Sequence, residues 1–350
     1  MKKLVALLPA FSLILAVAGC SEGYTGKDID KKKDILTGQK DGDKQEEKEK
    51  PEEQRTPVEV YKPSEPDDET KLKIKAYTYI AFSNEILELA EDLDEYFLVV
   101  EPQEEFAFTA QNTYDYKYGI GPYNTDMLDN AVTLAKEEPA LDPLDELTLK
   151  IEPYARELMD VFSDMYSCYD FADGQYAKAK EMHKRIVAVL HDFYEQADAY
   201  LYECGELSDK LAQESEQKAL EDGNIIFYSS SHMITLCKEL FRVCNEKGID
   251  DSNLTSLDLS AVQPIIDEMH QTFDQYTAAV NDKNQLMKES LAGPPINYFT
   301  SLMSTIDFMT EIIKNGGSNP SPGALGSLGH INEVLNDFID NYNRIEWTAD

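Results

Sequence analysis

Histidine, cysteine and tyrosine are the side chains through which this sequence could do chemistry, and their spacing decides which chemistry that is. Five histidines, His183, His191, His232, His270 and His330, lie scattered along the chain. None forms a His-Glu-x-x-His pair and no Cys-x-x-Cys occurs, so the ligand spacing of a zinc site is missing. Two histidines have a carboxylate within one helical turn, His191 with Glu195 and His330 with Glu333. Side chains three or four positions apart share a helix face and could grip a cation together. Carboxylates on solvated helix faces are also ordinary background, so neither pair is read as a metal site and no cofactor is expected. The run Gly326-Ser327-Leu328-Gly329 lacks the first glycine of a nucleophile elbow, because position 325 is Leu. No phosphate-cradling loop and no dinucleotide fingerprint occurs either. No catalytic residue is assigned, and the chain is expected not to be an enzyme. A metal-binding or metal-dependent hydrolytic protein using His330 or His191 is the alternative.

Four cysteines, Cys168, Cys204, Cys237 and Cys244, fall in the body of the chain. Cys237 and Cys244 stand seven residues apart, about 10 Å along one helix, too far to bridge each other. A tight hairpin at Asp222 to Asn224 would set Cys204 opposite roughly residue 241, within reach of either; small buried apolar side chains are the other reading. Aromatic residues crowd the stretch from Phe106 to Tyr123, beside Gly119 and Gly121. There Tyr114, Tyr116, Tyr118 and Tyr123 form a candidate binding surface, since a ring face and a hydroxyl suit sugar or peptide contacts. The same rings could instead pack over the end of a helical bundle.

The amino terminus carries the clearest signal. Met1-Lys2-Lys3 precedes an apolar stretch from Leu4 to Val17, and Val17-Ala18-Gly19-Cys20 follows. A cationic start, an apolar core too short to span a bilayer and small residues before a cut site make up a secretory signal. The last four residues resemble the lipobox of bacterial lipoproteins. That resemblance implies cleavage after Gly19 and acylation of Cys20, a membrane anchor on the extracytoplasmic face. Ser21 would permit sorting to an outer membrane in a cell that has one. Two or three acyl chains, at about 0.8 kcal/mol per buried methylene, would make the attachment effectively permanent.

The elements that must position any site come next along the chain. Residues 20–69 mix both charges, as in Gln45-Glu46-Glu47-Lys48-Glu49-Lys50, and are punctuated by Pro51, Pro57, Pro63 and Pro66. Such a composition cannot offset its ordering entropy and is read as a disordered tether, with a mean reach on the order of 40 Å. Residues 70–350 show helical periodicity almost throughout. Tyr79, Phe82, Ile86, Ala90, Leu93 and Phe97 form one stripe, and Leu144 through Met165, Met182 through Leu211, Met233 through Val243, Val262 through Val280, Ile296 through Ile313 and Ile331 through Ile345 form others. Glu138-Pro139, Asp173-Gly174, Gly223, Gly248, Gly293-Pro294-Pro295 and Gly316-Gly317 fall between stripes. The expected fold is all-α, an elongated antiparallel bundle of about six to eight helices, with Asn315 to Gly329 as a flexible connection. The net charge of −35, from 32 Lys+Arg against 67 Asp+Glu, repels phosphate backbones, so nucleic acid is not an expected partner.

One block of sequence points to a family. Tyr166-Ser167-Cys168-Tyr169-Asp170-Phe171-Ala172-Asp173 leads into Lys178-Ala179-Lys180-Glu181-Met182-His183-Lys184-Arg185, with Ile226-Phe227-Tyr228 and Met233 further on. Lys75-Ala76-Tyr77-Thr78-Tyr79-Ile80 with Asn84 opens the region, and Phe338-Ile339-Asp340-Asn341-Tyr342-Asn343 closes it. Together these resemble the YiiG-like bacterial lipoprotein family, a domain of unknown function (DUF 3829), over residues 70–346. The resemblance implies a lipid-anchored helical domain and transfers no functional residue. The expectation is an envelope lipoprotein that binds a protein or polymer of the cell envelope, or serves as a scaffold there.

Overall fold

The computed structural model describes residues 66–109, 121–168, 173–291, 294 and 296–344. Among the described residues it holds nine α-helices: α1 (Asp68–Val99), α2 (Asp126–Leu134), α3 (Leu144–Ser167), α4 (Asp173–Asp222), α5 (Ile225–Glu246), α6 (Gln263–Asn281), α7 (Lys283–Lys288), α8 (Ile296–Asn315) and α9 (Leu328–Asn343). Two of these are short, α2 with 9 residues and α7 with 6. The other seven match the apolar stripes, and the all-α reading of the sequence stands. Cys20 and the proposed signal and tether up to residue 65 lie outside the described residues. No described helix is long and apolar enough to cross a membrane.

Helix boundaries follow from local chemistry. The Asp67 carboxylate accepts from the Thr70 amide at 2.9 Å and starts α1. Pro264 sits in the first turn of α6, where its missing N–H costs nothing. The Ser327 hydroxyl accepts from the His330 amide at 3.0 Å and starts α9. Gly223 (φ 68°) and Gly248 (φ 65°) end α4 and α5 in the left-handed conformation that closes a helix without a Cβ clash.

The long α4, roughly 70 Å over its regular part, is shared by two groups of helices. Its earlier part, to about Cys204, packs against α1 and α3, with α2 against α1 and α3; its later part pairs with α5, which in turn packs against α6 and α9, with α8 between α6 and α9. Cross-helix pairs fix the antiparallel directions: Tyr200 with Tyr79 and His183 with Tyr96 between α4 and α1, Lys238 with Asp209 between α5 and α4, Tyr276 with Phe299 between α6 and α8. One contiguous apolar core runs through both groups. On α1 it takes Tyr79, Phe82, Ile86, Ala90 and Leu93 as the stripe requires, but the fully buried ring at the end is Tyr96, with Phe97 only partly covered.

Two expectations change, and one open choice is closed. The connection from Asn315 to Gly329 is docked rather than loose: the Gly326 amide donates to Thr305 Oγ1 at 3.1 Å, and Asn319 Oδ1 accepts from the Thr255 amide and hydroxyl at 2.8 Å each. The described cysteines Cys168, Cys204, Cys237 and Cys244 are all buried, and Cys204 forms no bridge to Cys237 or Cys244, so the small-apolar reading holds for these three. Burial pushes the Cys204 thiol up to about 12 and the Cys244 thiol to about 11. Finally, α2 fills a span for which no stripe was read; it buries only Leu128 and Ala131.

Candidate functional site

An open pocket of about 520 Å³ lies between the end of α3 and the start of α4. Asp164, Ser167 and Cys168 line it from α3, and Lys178, Glu181, Met182 and Arg185 from α4. All but Asp164 are residues of the block from Tyr166 to Arg185 singled out in the sequence. Two of its walls are held rigidly. The Arg185 guanidinium donates through Nε to Glu157 at 2.7 Å and through Nη1 to Asp164 at 2.8 Å, spanning two turns of α3. The Glu157 bond, and then Asp164, hold its pKa above the ordinary range against partial burial. The Ser167 hydroxyl donates to the Ser163 carbonyl at 2.6 Å, and the Cys168 amide caps α3 through the Met165 carbonyl at 3.2 Å.

The start of α4, just before Lys178, carries backbone strain. Gly174, Gln175 and Tyr176 are consecutive residues in the left-handed region, at φ 59°, 58° and 63°. Glycine takes this conformation freely, whereas each L side chain there costs roughly 1–2 kcal/mol. Tyr176 is compensated by its ring, which lies 5.1 Å from Phe108 in a T-shaped contact and 5.9 Å from Phe106. Both phenylalanines sit on a short turnback of the chain in which Glu101 N donates to Ala107 O at 2.8 Å and Thr109 N to Val99 O at 3.0 Å. Beneath them His183 is fully buried, with Nδ1 2.8 Å from the Tyr96 hydroxyl and Nε2 2.6 Å from the Gln103 carbonyl. Nε2 must donate to that carbonyl, so Nδ1 accepts from Tyr96. His183 therefore ties α1, the turnback and α4 together and has no nitrogen left for a ligand.

Tyr123, predicted on the binding surface, is half-buried and acts as an anchor. Its hydroxyl donates to Asp92 at 2.6 Å and its amide to Ser163 Oγ at 3.0 Å, while its ring lies 6.1 Å from Phe162. Burial and then the Asp92 contact push its hydroxyl pKa above the ordinary range. Phe108 and Tyr123 thus fix both flanks of the tyrosine-rich stretch to the end of the bundle that holds the pocket. Tyr114, Tyr116 and Tyr118 lie outside the described residues.

The two His–carboxylate pairs, not read as metal sites in the sequence, are separated by geometry. His191 and Glu195 come together on α4 with Asp192, their ligand atoms within 4.8 Å of one another and all three exposed. One imidazole nitrogen and two carboxylate oxygens are donors suited to a divalent transition metal with water completing the shell. His330 Nδ1 stands 3.4 Å from Glu333 Oε2 and gathers no third ligand among the described residues.

Two polar clusters escaped the sequence reading. Lys75 and Asp145 form a buried ion pair at 2.8 Å between α1 and α3. Glu216, His232 and Glu268 join α4, α5 and α6. The second was within reach, since Glu216 and His232 lie at near-equal distances on either side of Gly223, the register already used for Cys204. The first had no signal, because Lys75 and Asp145 are separated by an intervening helix and loop.

A sequence profile of the family described as protein of unknown function (DUF3829) matches residues 70–344. No curated protein and no solved structure matches the chain.

Proposed function

The chain belongs to the DUF3829 family of unknown function, and on that premise we propose that it is a non-enzymatic binding or scaffold module of the cell envelope. In this reading it is tethered to the extracytoplasmic face of a membrane through a lipid on Cys20. The pocket between α3 and α4 is where it meets an envelope protein or polymer. One observation carries the proposal: a preformed pocket whose charged and apolar walls stand on two packed helices, the second of which begins with a strained turn just before Lys178. Strain kept at a site by surrounding packing is a mark of function. Lys178, Glu181, Arg185 and Asp164 offer both charges, and Met182 a pliable apolar contact, suited to a mixed polar partner.

Two experiments test this. Mass spectrometry of the mature amino terminus should find an acylated Cys20; a mature start elsewhere, or a bare cysteine, overturns the anchor. Glu181→Trp places a bulky ring in the pocket from an exposed helix position. A partner recovered from envelope extracts by the wild-type chain should be lost with this variant at unchanged thermal stability. Equal recovery by both removes the pocket from the reading, and recovery of bait alone by both removes the binding role.

The trio His191, Asp192 and Glu195 favours a second reading, a metal-binding envelope lipoprotein. Near-stoichiometric zinc or iron in protein purified without added metal, lost on His191→Ala, would put this reading first.

A further inference from the structure

His232 on α5 is bracketed at both ring nitrogens by carboxylates from two other helices. Nδ1 lies 2.9 Å from Glu216 Oε2 on α4, and Nε2 lies 3.0 Å from Glu268 Oε1 on α6. A neutral imidazole owns a single N–H and can donate to only one of them; the other would meet it lone pair to lone pair. Two carboxylates at these distances match an imidazolium, which donates at both ends. The ring has little freedom to escape. Tyr228, one turn earlier, stacks on it at 5.1 Å with planes 14° apart. Glu216 is buried and also accepts from Ser231 Oγ at 3.1 Å and Thr235 Oγ1 at 2.7 Å. Glu268 is the exposed end of the chain of contacts.

We propose that His232 is a proton-operated clamp, holding α6 to the α4–α5 hairpin while charged and releasing Glu268 when it loses its proton. The titratable groups that face the ring are Glu216 from α4, Tyr228 from α5 and Glu268 from α6, and among the described residues neither carboxylate has another cationic partner. Just after α7, Glu289 turns instead to the Ile226 and Phe227 amides at the head of α5, and α9 meets that end through Tyr342 on Phe227. Burial lowers the imidazole's affinity for its proton, and the two carboxylates raise it by more, so its pKa stands above 6.5. The clamp's stabilisation is therefore complete below the unfolded value and is lost as pH rises through the folded one. On deprotonation the remaining proton stays at Nδ1 with Glu216, the more buried of the two carboxylates. Nε2 becomes an acceptor, and the exposed Glu268 turns to solvent.

The test is a nitrogen-15 NMR titration of the full-length chain, labelled at histidine, from about pH 5 to about pH 9. His232→Asn identifies the resonances, and hydrogen exchange of α6 amides is followed in parallel. Both His232 nitrogens should read as imidazolium at neutral pH, with a midpoint above 6.5. Glu268→Gln, at an exposed position, should lower that midpoint. Exchange at the first turns of α6, corrected for the intrinsic rate, should quicken above the midpoint in the wild type and not in His232→Asn. A neutral ring at pH 6.5, a midpoint indifferent to Glu268→Gln, or α6 exchange indifferent to the titration overturns the clamp.

Discussion

Lys75 and Asp145, on α1 and α3, meet inside the bundle with Lys75 Nζ 2.8 Å from Asp145 Oδ2, both side chains all but closed to solvent. The ammonium also donates to the Glu137 carbonyl at 2.6 Å, and Asp145 accepts from the Leu141 amide at 2.8 Å and from the Tyr79 hydroxyl. The pair thus satisfies both charges and fastens the loop before α3 to α1. Removing one partner of such a pair leaves the other buried and uncompensated, at about 3–5 kcal/mol. Lys75→Met should lower the melting temperature by roughly 6–10 °C, taking about 2 °C per kcal/mol for a domain of this size. Adding Asp145→Leu should recover part of the loss. Thermal unfolding followed by circular dichroism decides; equal melting of Lys75→Met and wild type would show the pair to be idle.

Glu289, just after α7, caps a helix to which it does not belong. Its carboxylate accepts from the Ile226 amide through Oε1 and from the Phe227 amide through Oε2, each at 2.8 Å, at the start of α5. Asn224 makes no side-chain cap there, so these amides depend on Glu289. Glu289→Ala should cost about 1–3 kcal/mol, the price of orphaned buried donors, and Glu289→Gln less, since an amide oxygen still accepts. Denaturant unfolding of the two variants ranks them; the reverse order would refute the cap.

Glu85 offers a prediction in pH. It is half-buried on α1, and burial, then Glu88 and Asp126, push its carboxyl up to about 7. Its Oε2 has no hydrogen-bond partner among the described residues. The folded state therefore binds a proton more tightly than the unfolded chain, whose glutamate titrates near 4.5. Stability contributed by the protonated group is present below that value and drains away as pH rises through about 7. Glu85→Gln keeps the shape without the charge, so it should melt above the wild type at about pH 8 and lose that advantage toward about pH 4. A variant that melts with or below the wild type at the higher pH contradicts the shift.

Much of the fold could be read from apolar spacing because long helices bury one face each, and Ile151, Phe193, Met269 and Phe338 all lie where their stripes put them. The division into two groups sharing α4 could not, since a stripe shows that a face is covered and not by which helix. The site was half legible. Its block of residues was singled out, but Gln175 and Tyr176 carry no sequence mark of a left-handed turn; Gly174 alone does. Tyr123 looks like a rim residue until Asp92 and Ser163 are seen to hold it, and those partners sit 31 and 40 positions away.

The connection before α9 shows most sharply where composition misleads, because a Gly- and Ser-rich stretch reads as slack. Gly326 is buried at φ 81°, and a Cβ there would stand 2.8 Å from Phe308 Cδ1, 2.9 Å from Ile312 Cδ1 and 3.0 Å from the Met309 amide nitrogen. The two side-chain tips can give way; the backbone of α8 cannot do so without loosening the helix. Left-handed strain adds roughly 1–2 kcal/mol for any L side chain. Gly317, in the same stretch, has open space around its Cβ position and no such backbone demand. Gly326→Ala should therefore destabilise by about 2 kcal/mol or more, whereas Gly317→Ala should be neutral or gain about 0.4–1 kcal/mol by restricting the unfolded chain. Parallel urea titrations of the two variants settle the matter. If Gly326→Ala unfolds at the wild-type midpoint, the connection is slack after all and its packing on α8 contributes nothing to stability.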